Sequence, residues 1–150
     1  MSLAAITVDW TSFLIGAIAS TVFVFIGHAK FDGLILNPGL TLKPQDIVGN
    51  SLPYLQLAVL AACSTASSRN GLLDTDSVVN AFLSGGVSNI VASHWEVDSQ
   101  STTEFMTNFY AGLKSGQTAA QSMKTARQKV WPRNRHPYYW AAFTLYGRVA

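Results

Sequence analysis

Short apolar runs separated by polar, turn-forming stretches organise this chain. Thr21-Val22-Phe23-Val24-Phe25-Ile26-Gly27 and Leu57-Ala58-Val59-Leu60-Ala61-Ala62 are continuous runs rich in β-branched, aromatic and small apolar residues. Runs of this length read as strands buried on both faces of a parallel sheet. Val87 to Ala92 predicts a third strand, and Tyr139 to Tyr146 a last one. Between them the apolar period changes to that of a helix. Val78, Val79, Phe82 and Leu83 form one face of a helix capped by Asp76 or Ser77 and stopped at Gly85-Gly86. Phe105, Met106, Phe109, Tyr110 and Leu113 form the core stripe of a second helix, capped by Ser99 or Ser101 and broken by Gly112 and Gly116. Thr118 to Trp131 is a third amphipathic helix, ended by Pro132. Pro44 opens a short helix, since proline suits the first turn. The segment after His28, punctuated by Asp32-Gly33 and Asn37-Pro38-Gly39, reads as a loop with room for a small hairpin.

The resulting order is strand, short helix, strand, helix, strand, helix, helix, strand. Such alternation predicts an α/β layered fold with a mainly parallel sheet. Four strands are few for that sheet. The strand before His28 is expected to be an exposed edge unless something pairs with it. That implies a chain belonging to a larger domain or completed by a partner.

Composition narrows the class. With 150 residues, 49% of them hydrophobic, the chain suits one domain with a packed core. Net charge is +2, and the late basic residues Lys124, Arg127, Lys129, Arg133 and Arg135 read as a solvated helix face and loop rather than a nucleic-acid patch. Cys63 is the only cysteine, so an intrachain disulfide is excluded and a reducing, cytoplasmic setting is expected. Thr11 to Gly27 carries no charge but includes polar Thr11, Ser12, Ser20 and Thr21 and lacks basic flanks. It reads as a short helix over 10–18 followed by a strand, rather than as a membrane span or signal peptide.

His28 and Cys63 each stand one step past the end of an apolar run. Chemistry in open α/β sheets gathers beyond the carboxyl ends of the strands. On adjacent strands, about 4.8 Å apart, an imidazole and a thiol at these ends face one another. That is what a cysteine nucleophile requires, because a neighbouring base makes the thiolate. Ser64-Thr65-Ala66-Ser67-Ser68 follows as a small, polar loop whose amides, around Ser64 and Cys63, suit an oxyanion. His94 falls at the end of the third strand, on the same rim, and borders the expected cleft. Glu96 and Asp98 are candidates for negative charge toward a basic substrate side chain, with Asp98 also suited to cap the following helix. His136, before Pro137, reads as structural. No paired-ligand spacing for a metal, no phosphate-binding loop and no GxSxG elbow is present. Neither a cofactor nor a metal is expected.

LAVLAACSTA, then GLLDTDSVVNAFLSGGVSNIVASHWEVDSQSTTEFMTNFYAGLKSG, then HPYYWAAFTLYG, strongly resembles the CHAT domain family. These are caspase-like cysteine peptidase domains, related to separase and often joined to tetratricopeptide repeats. Upstream, VFIGHAKFDG matches the family's HFAGHG-like strand end. The resemblance covers about residues 20–148, leaving 1–20 poorly matched. It implies a caspase-like three-layer α/β/α sandwich whose last strand is antiparallel. It also implies cleavage of a protein or peptide substrate through a thioacyl intermediate, with Cys63 as nucleophile and His28 as general base. Asp98, His94, Ser64 and Ala29 would then contact substrate. A tetratricopeptide-repeat or other regulatory protein is the implied partner completing the sheet. Two departures stand out: Ala29 replaces the family's glycine after the histidine, and Ser64-Thr65-Ala66 replaces ETG. An alanine is costly where a positive φ is required. With the short upstream segment, these departures keep a second reading open, an inactive or incomplete CHAT-domain interaction module.

Overall fold

The apolar runs form the centre of a mixed sheet. The structure, a computed structural model, describes residues 21–30, 33–62, 77–96 and 98–147. Strands β1 (Val22–Lys30), β4 (Leu57–Ala62) and β5 (Asn89–Ser93) lie side by side and parallel, with Val22 opposite Leu57, Gly27 opposite Ala62, and Leu57 opposite Asn89. Two antiparallel strands, β2 (Gly33–Asn37) and β3 (Leu40–Leu42), extend the sheet on the β1 side, and β6 (Phe143–Gly147) closes it antiparallel to β5. The order is β3-β2-β1-β4-β5-β6.

Alternation along the central strands separates two cores. Phe23, Ala58, Leu60, Ile90 and Ala92 face one side. There they meet Ile47 of α1 (Pro44–Ile47) and Val78, Val79 and Phe82 of α2 (Val78–Ser84). Leu57, Val59, Val91 and Phe143 face the other. There they meet Phe105 and Phe109 of α3 (Ser99–Lys114) and Met123, Ala126 and Val130 of α4 (Ala119–Val130). A final turn, α5 (Pro137–Trp140), leads into β6. Helices on both faces of the sheet make a three-layer α/β/α sandwich. The fully buried Phe82, Phe105, Phe109 and Phe143 anchor the two layers; truncating such a ring to alanine typically costs about 3–5 kcal/mol.

The expected exposed edge beside His28 is corrected by the chain itself. β1 continues past Gly27, and β2 pairs with its last residues, His28 opposite Ile35 and Lys30 opposite Gly33. The hairpin closes tightly over its own third strand. A Cβ on Gly33, at φ +153°, would sit 2.3 Å from the Leu42 carbonyl oxygen. β2 and β3 are thus the small hairpin for which the loop left room, and β2 adds it to the sheet beside β1.

Other boundaries move for local reasons. Tyr139 and Trp140 belong to a helical turn rather than to the last strand. Pro137 stands at its first position and the His136 imidazole accepts from the Tyr138 N–H, both of which favour a helix start. Gly112 does not break α3, which runs on to Lys114. A Cβ there would lie 2.7 Å from Ser122 Oγ, so the glycine allows α3 and α4 to pack closely. The cap of α3 is Asp98, not Ser99 or Ser101. Among the described residues no helix is long and apolar enough to cross a membrane. Of the uncharged stretch, 22–27 is strand; the helix expected over 10–18 lies outside the described residues.

Candidate active site

At the carboxyl ends of β1, β4 and β5 the sheet opens into a cleft of about 440 Å³. Its floor is the strand ends: Gly27 and His28 of β1, Ala61 and Ala62 of β4, and Ser93 of β5. Its walls are Trp95, Glu96 and Asp98, the first turns of α3 with Ser99 and Thr102, and Tyr138 with Phe143 from the other end of the chain. Even-numbered residues of β1 share the α3 face of the sheet. His28 therefore follows Ile26 onto that side, and it is exposed.

The register brings the two strand ends together. Gly27 pairs with Ala62, so β1 enters His28 at the level where β4 delivers the chain to residue 63. Cys63 and Ser64 themselves lie outside the described residues. The buried Ser93 hydroxyl donates to the Ala62 carbonyl, tying the end of β5 to the last described residue before the cysteine.

The acidic rim has a defined geometry. Asp98 Oδ1 accepts from the backbone N–H groups of Gln100 (3.1 Å) and Ser101 (3.0 Å). The N–H and hydroxyl of Ser101 hold its carboxyl below the ordinary carboxylate range. Asp98 thus caps α3 and lines the cleft at once. Glu96 is exposed, and its carbonyl accepts from the Tyr138 hydroxyl. The Trp95 indole N–H donates to the Tyr138 carbonyl at 2.9 Å, and the two rings stack at 6.3 Å. These bonds lock the HPYYW turn onto the strand-end loop.

Two expected site residues stand apart from this cleft. His94 turns its Nε2 to Thr144 Oγ1 (2.9 Å) and the Tyr146 hydroxyl (3.2 Å), on the opposite side of the sheet from Ser93. Ala29 packs against the α1–α2 core from within β1 and pairs with Leu34. Strand backbone accepts alanine without strain, so the missing glycine costs nothing at this position. Conversely, Ser93, Trp95 and Tyr138 line the cleft without having been singled out as site residues. For Ser93 the signal was present in the sequence: it directly follows the apolar run Val87 to Ala92, at the carboxyl end of the expected third strand. Among the described residues no group of three His, Cys, Asp or Glu is placed to hold a metal.

A parallel-centred sheet between two helical layers, with its cleft at the strand ends, is a caspase-like arrangement. The chain belongs to the CHAT domain family, whose model matches residues 14–148. CHAT domains are caspase-like domains related to cysteine peptidases. No curated protein matches the chain.

Proposed function

We propose that this chain is a cysteine endopeptidase of the CHAT, caspase-like type. The observation that carries the reading is the pairing of Gly27 with Ala62, which sends β1 into His28 and β4 toward Cys63 at one end of the sheet, beside an open cleft. In this reading Cys63 Sγ, its proton taken by His28, attacks the scissile carbonyl. His28 then protonates the departing amine, and water releases the acyl group from the thioester. The backbone amides around Cys63 and Ser64 hold the oxyanion. Glu96 and Asp98, beside the Trp95 and Tyr138 rings, supply carboxylates and aromatic faces to a basic substrate side chain.

The test is the pH dependence of alkylation at Cys63, in the wild type and in His28→Ala. A single cysteine makes the signal unambiguous. A free thiol titrates near 8.5, and one paired with histidine falls well below. A depressed midpoint that returns toward 8.5 in His28→Ala is the expected result. An ordinary midpoint indifferent to the substitution would favour an inactive interaction module. Cleavage of a peptide library by the wild type and not by Cys63→Ala would complete the assignment.

A further inference from the structure

β6 ends the described sheet, and the register defines what its outer edge presents. Ser93 stands opposite Phe143 while the His94 N–H donates to the Ala142 carbonyl. Ser93 and Phe143 are therefore a non-hydrogen-bonded pair, and so, two residues on, are Val91 and Leu145. Phe143 and Leu145 consequently turn their backbone N–H and C=O away from β5. Arg127 Nη2 takes the Phe143 carbonyl at 2.7 Å. Among the described residues nothing takes the N–H or C=O of Leu145.

A groove of about 370 Å³ runs between this edge and α4. Lys124, Arg127 and Gln128, one face of the helix, line it opposite Thr144 and Leu145. α4 carries Lys124, Arg127 and Lys129 and no acidic residue over its whole length. The Arg127 guanidinium is half-buried, its Nε has no hydrogen-bond partner, and among the described residues it has no carboxylate within ion-pair distance. Burial lowers its pKa, as expected of a charge held there without a counterion.

We propose that this groove docks an extended, acidic segment of a partner protein, added as a strand along β6 with its carboxylates on Lys124 and Arg127. Edge addition supplies main-chain bonds to Leu145, and alternate side chains supply specificity. Same-face side chains of an added strand repeat about every 7 Å, and Lys124 and Arg127 lie one helical turn apart, about 5 Å along the axis. Carboxylates at alternate positions, Glu-x-Glu or Asp-x-Glu, fit that pair. Residues 1–20 of this chain fit it poorly, since they contain one carboxylate, Asp9. A second copy fits it poorly too. Antiparallel pairing of two β6 edges about a two-fold axis sets both α4 helices on one face, bringing cations toward cations. The proposal does not rest on the peptidase reading.

The test uses the full chain, isotopically labelled, titrated with acetyl-Glu-Val-Glu-Val-Glu-Val-amide and with the same peptide carrying Gln for Glu. Saturable amide shifts at Leu145 and Gly147 are expected, with slower hydrogen exchange at Leu145 and weakening as salt rises. The Gln peptide, and the exposed-site variant Lys124→Glu, should each bind at least about threefold more weakly. The absence of saturable shifts along β6, or equal binding of the Gln peptide, would overturn the proposal. So would a Leu145 amide already protected in the free chain, which would mean that the chain itself or a second copy occupies the edge.

Discussion

The Ser93 hydroxyl donates to the carbonyl of Ala62, joining the end of β5 to the residue that precedes Cys63. The backbone ladder between β4 and β5 is registered as far as Leu60 and Ala92, so this side chain extends the link beyond it. Ser93 is buried, and the bond satisfies its hydroxyl at the floor of the cleft. Ser93→Ala should lower stability by about 1 kcal/mol, because the bond from a buried hydroxyl to the Ala62 carbonyl is lost. It should also slow alkylation of Cys63 by loosening the strand end that leads to it. Denaturant unfolding measures the first effect and thiol-modification kinetics the second. An unchanged alkylation rate alongside lost stability would confine Ser93 to the fold.

Asp98 combines two tasks that substitution can separate. As the cap of α3 it accepts two backbone N–H groups. As a cleft carboxylate it faces the space where a basic side chain would enter. Asp98→Asn keeps the capping oxygen and removes the charge, so stability at neutral pH should change by only a few tenths of a kcal/mol. Asp98→Ala should lose about 1 kcal/mol. The pH dependence has a defined sign. The folded-state pKa is depressed, so the stabilisation is present above the ordinary carboxylate range and disappears as pH falls through the depressed value. The stability gap between wild type and Asp98→Asn should therefore shift in favour of Asn as the solution is acidified, measured by thermal melting across pH.

His94 acts on the other side of the sheet. Its Nε2 lies between Thr144 Oγ1 and the Tyr146 hydroxyl, which fastens the start of the strand-end loop to β6. His94→Ala should lower the melting temperature by several degrees through loss of these bonds. It should leave the pH profile of Cys63 alkylation where the wild type has it. A changed profile would return His94 to the catalytic neighbourhood.

How far the sequence could be read follows from which residues speak locally. β4 and β5 were legible because both of their faces are buried, and continuous apolar runs have few other uses. β1 was legible from its β-branched and aromatic run, although Ile26 and His28 on its α3 face are exposed. The β2–β3 hairpin was legible as a small hairpin from its turn residues, but its pairing with β1 was not. Its strands are short, and its pairing depends on Gly33 passing beneath Leu42. Tyr139 and Trp140 look like strand residues by propensity, yet Pro137 and His136 impose a helical turn. In the site, the placement of His28 beside the cleft was readable, as was the acidic rim of Glu96 and Asp98. That β1 runs on through His28 to Lys30, past the end of its pairing with β4, was not. The side of the sheet that His94 faces was not. Successive strand residues alternate faces, so the single step from Ser93 to His94 moves the imidazole away from the cleft. The contribution of Tyr138 depends on a tertiary contact with Trp95 and has no local signature.

Tyr110 offers a test of the α3–α4 layer that is independent of the site. Its hydroxyl is buried and has no hydrogen-bond partner among the described residues, and burial pushes its pKa up to about 12. A phenolate is harder to form there than in the unfolded chain, where it forms near 10. Below pH 10 the group is neutral in both states and favours neither. Between about 10 and 12 the unfolded chain ionises while the folded one does not, so stability is lost as pH rises through that window. Tyr110→Phe removes the hydroxyl that cannot find a partner and keeps the ring. It should raise stability at neutral pH by up to about 1 kcal/mol and abolish this part of the alkaline loss. Absorbance titration of the folded wild type should show one tyrosine ionising about two pH units above an ordinary phenol, a step absent from Tyr110→Phe. If every tyrosine titrated together near 10 in the folded chain, the Tyr110 hydroxyl would be solvated, and the α3–α4 contact looser than the structure describes.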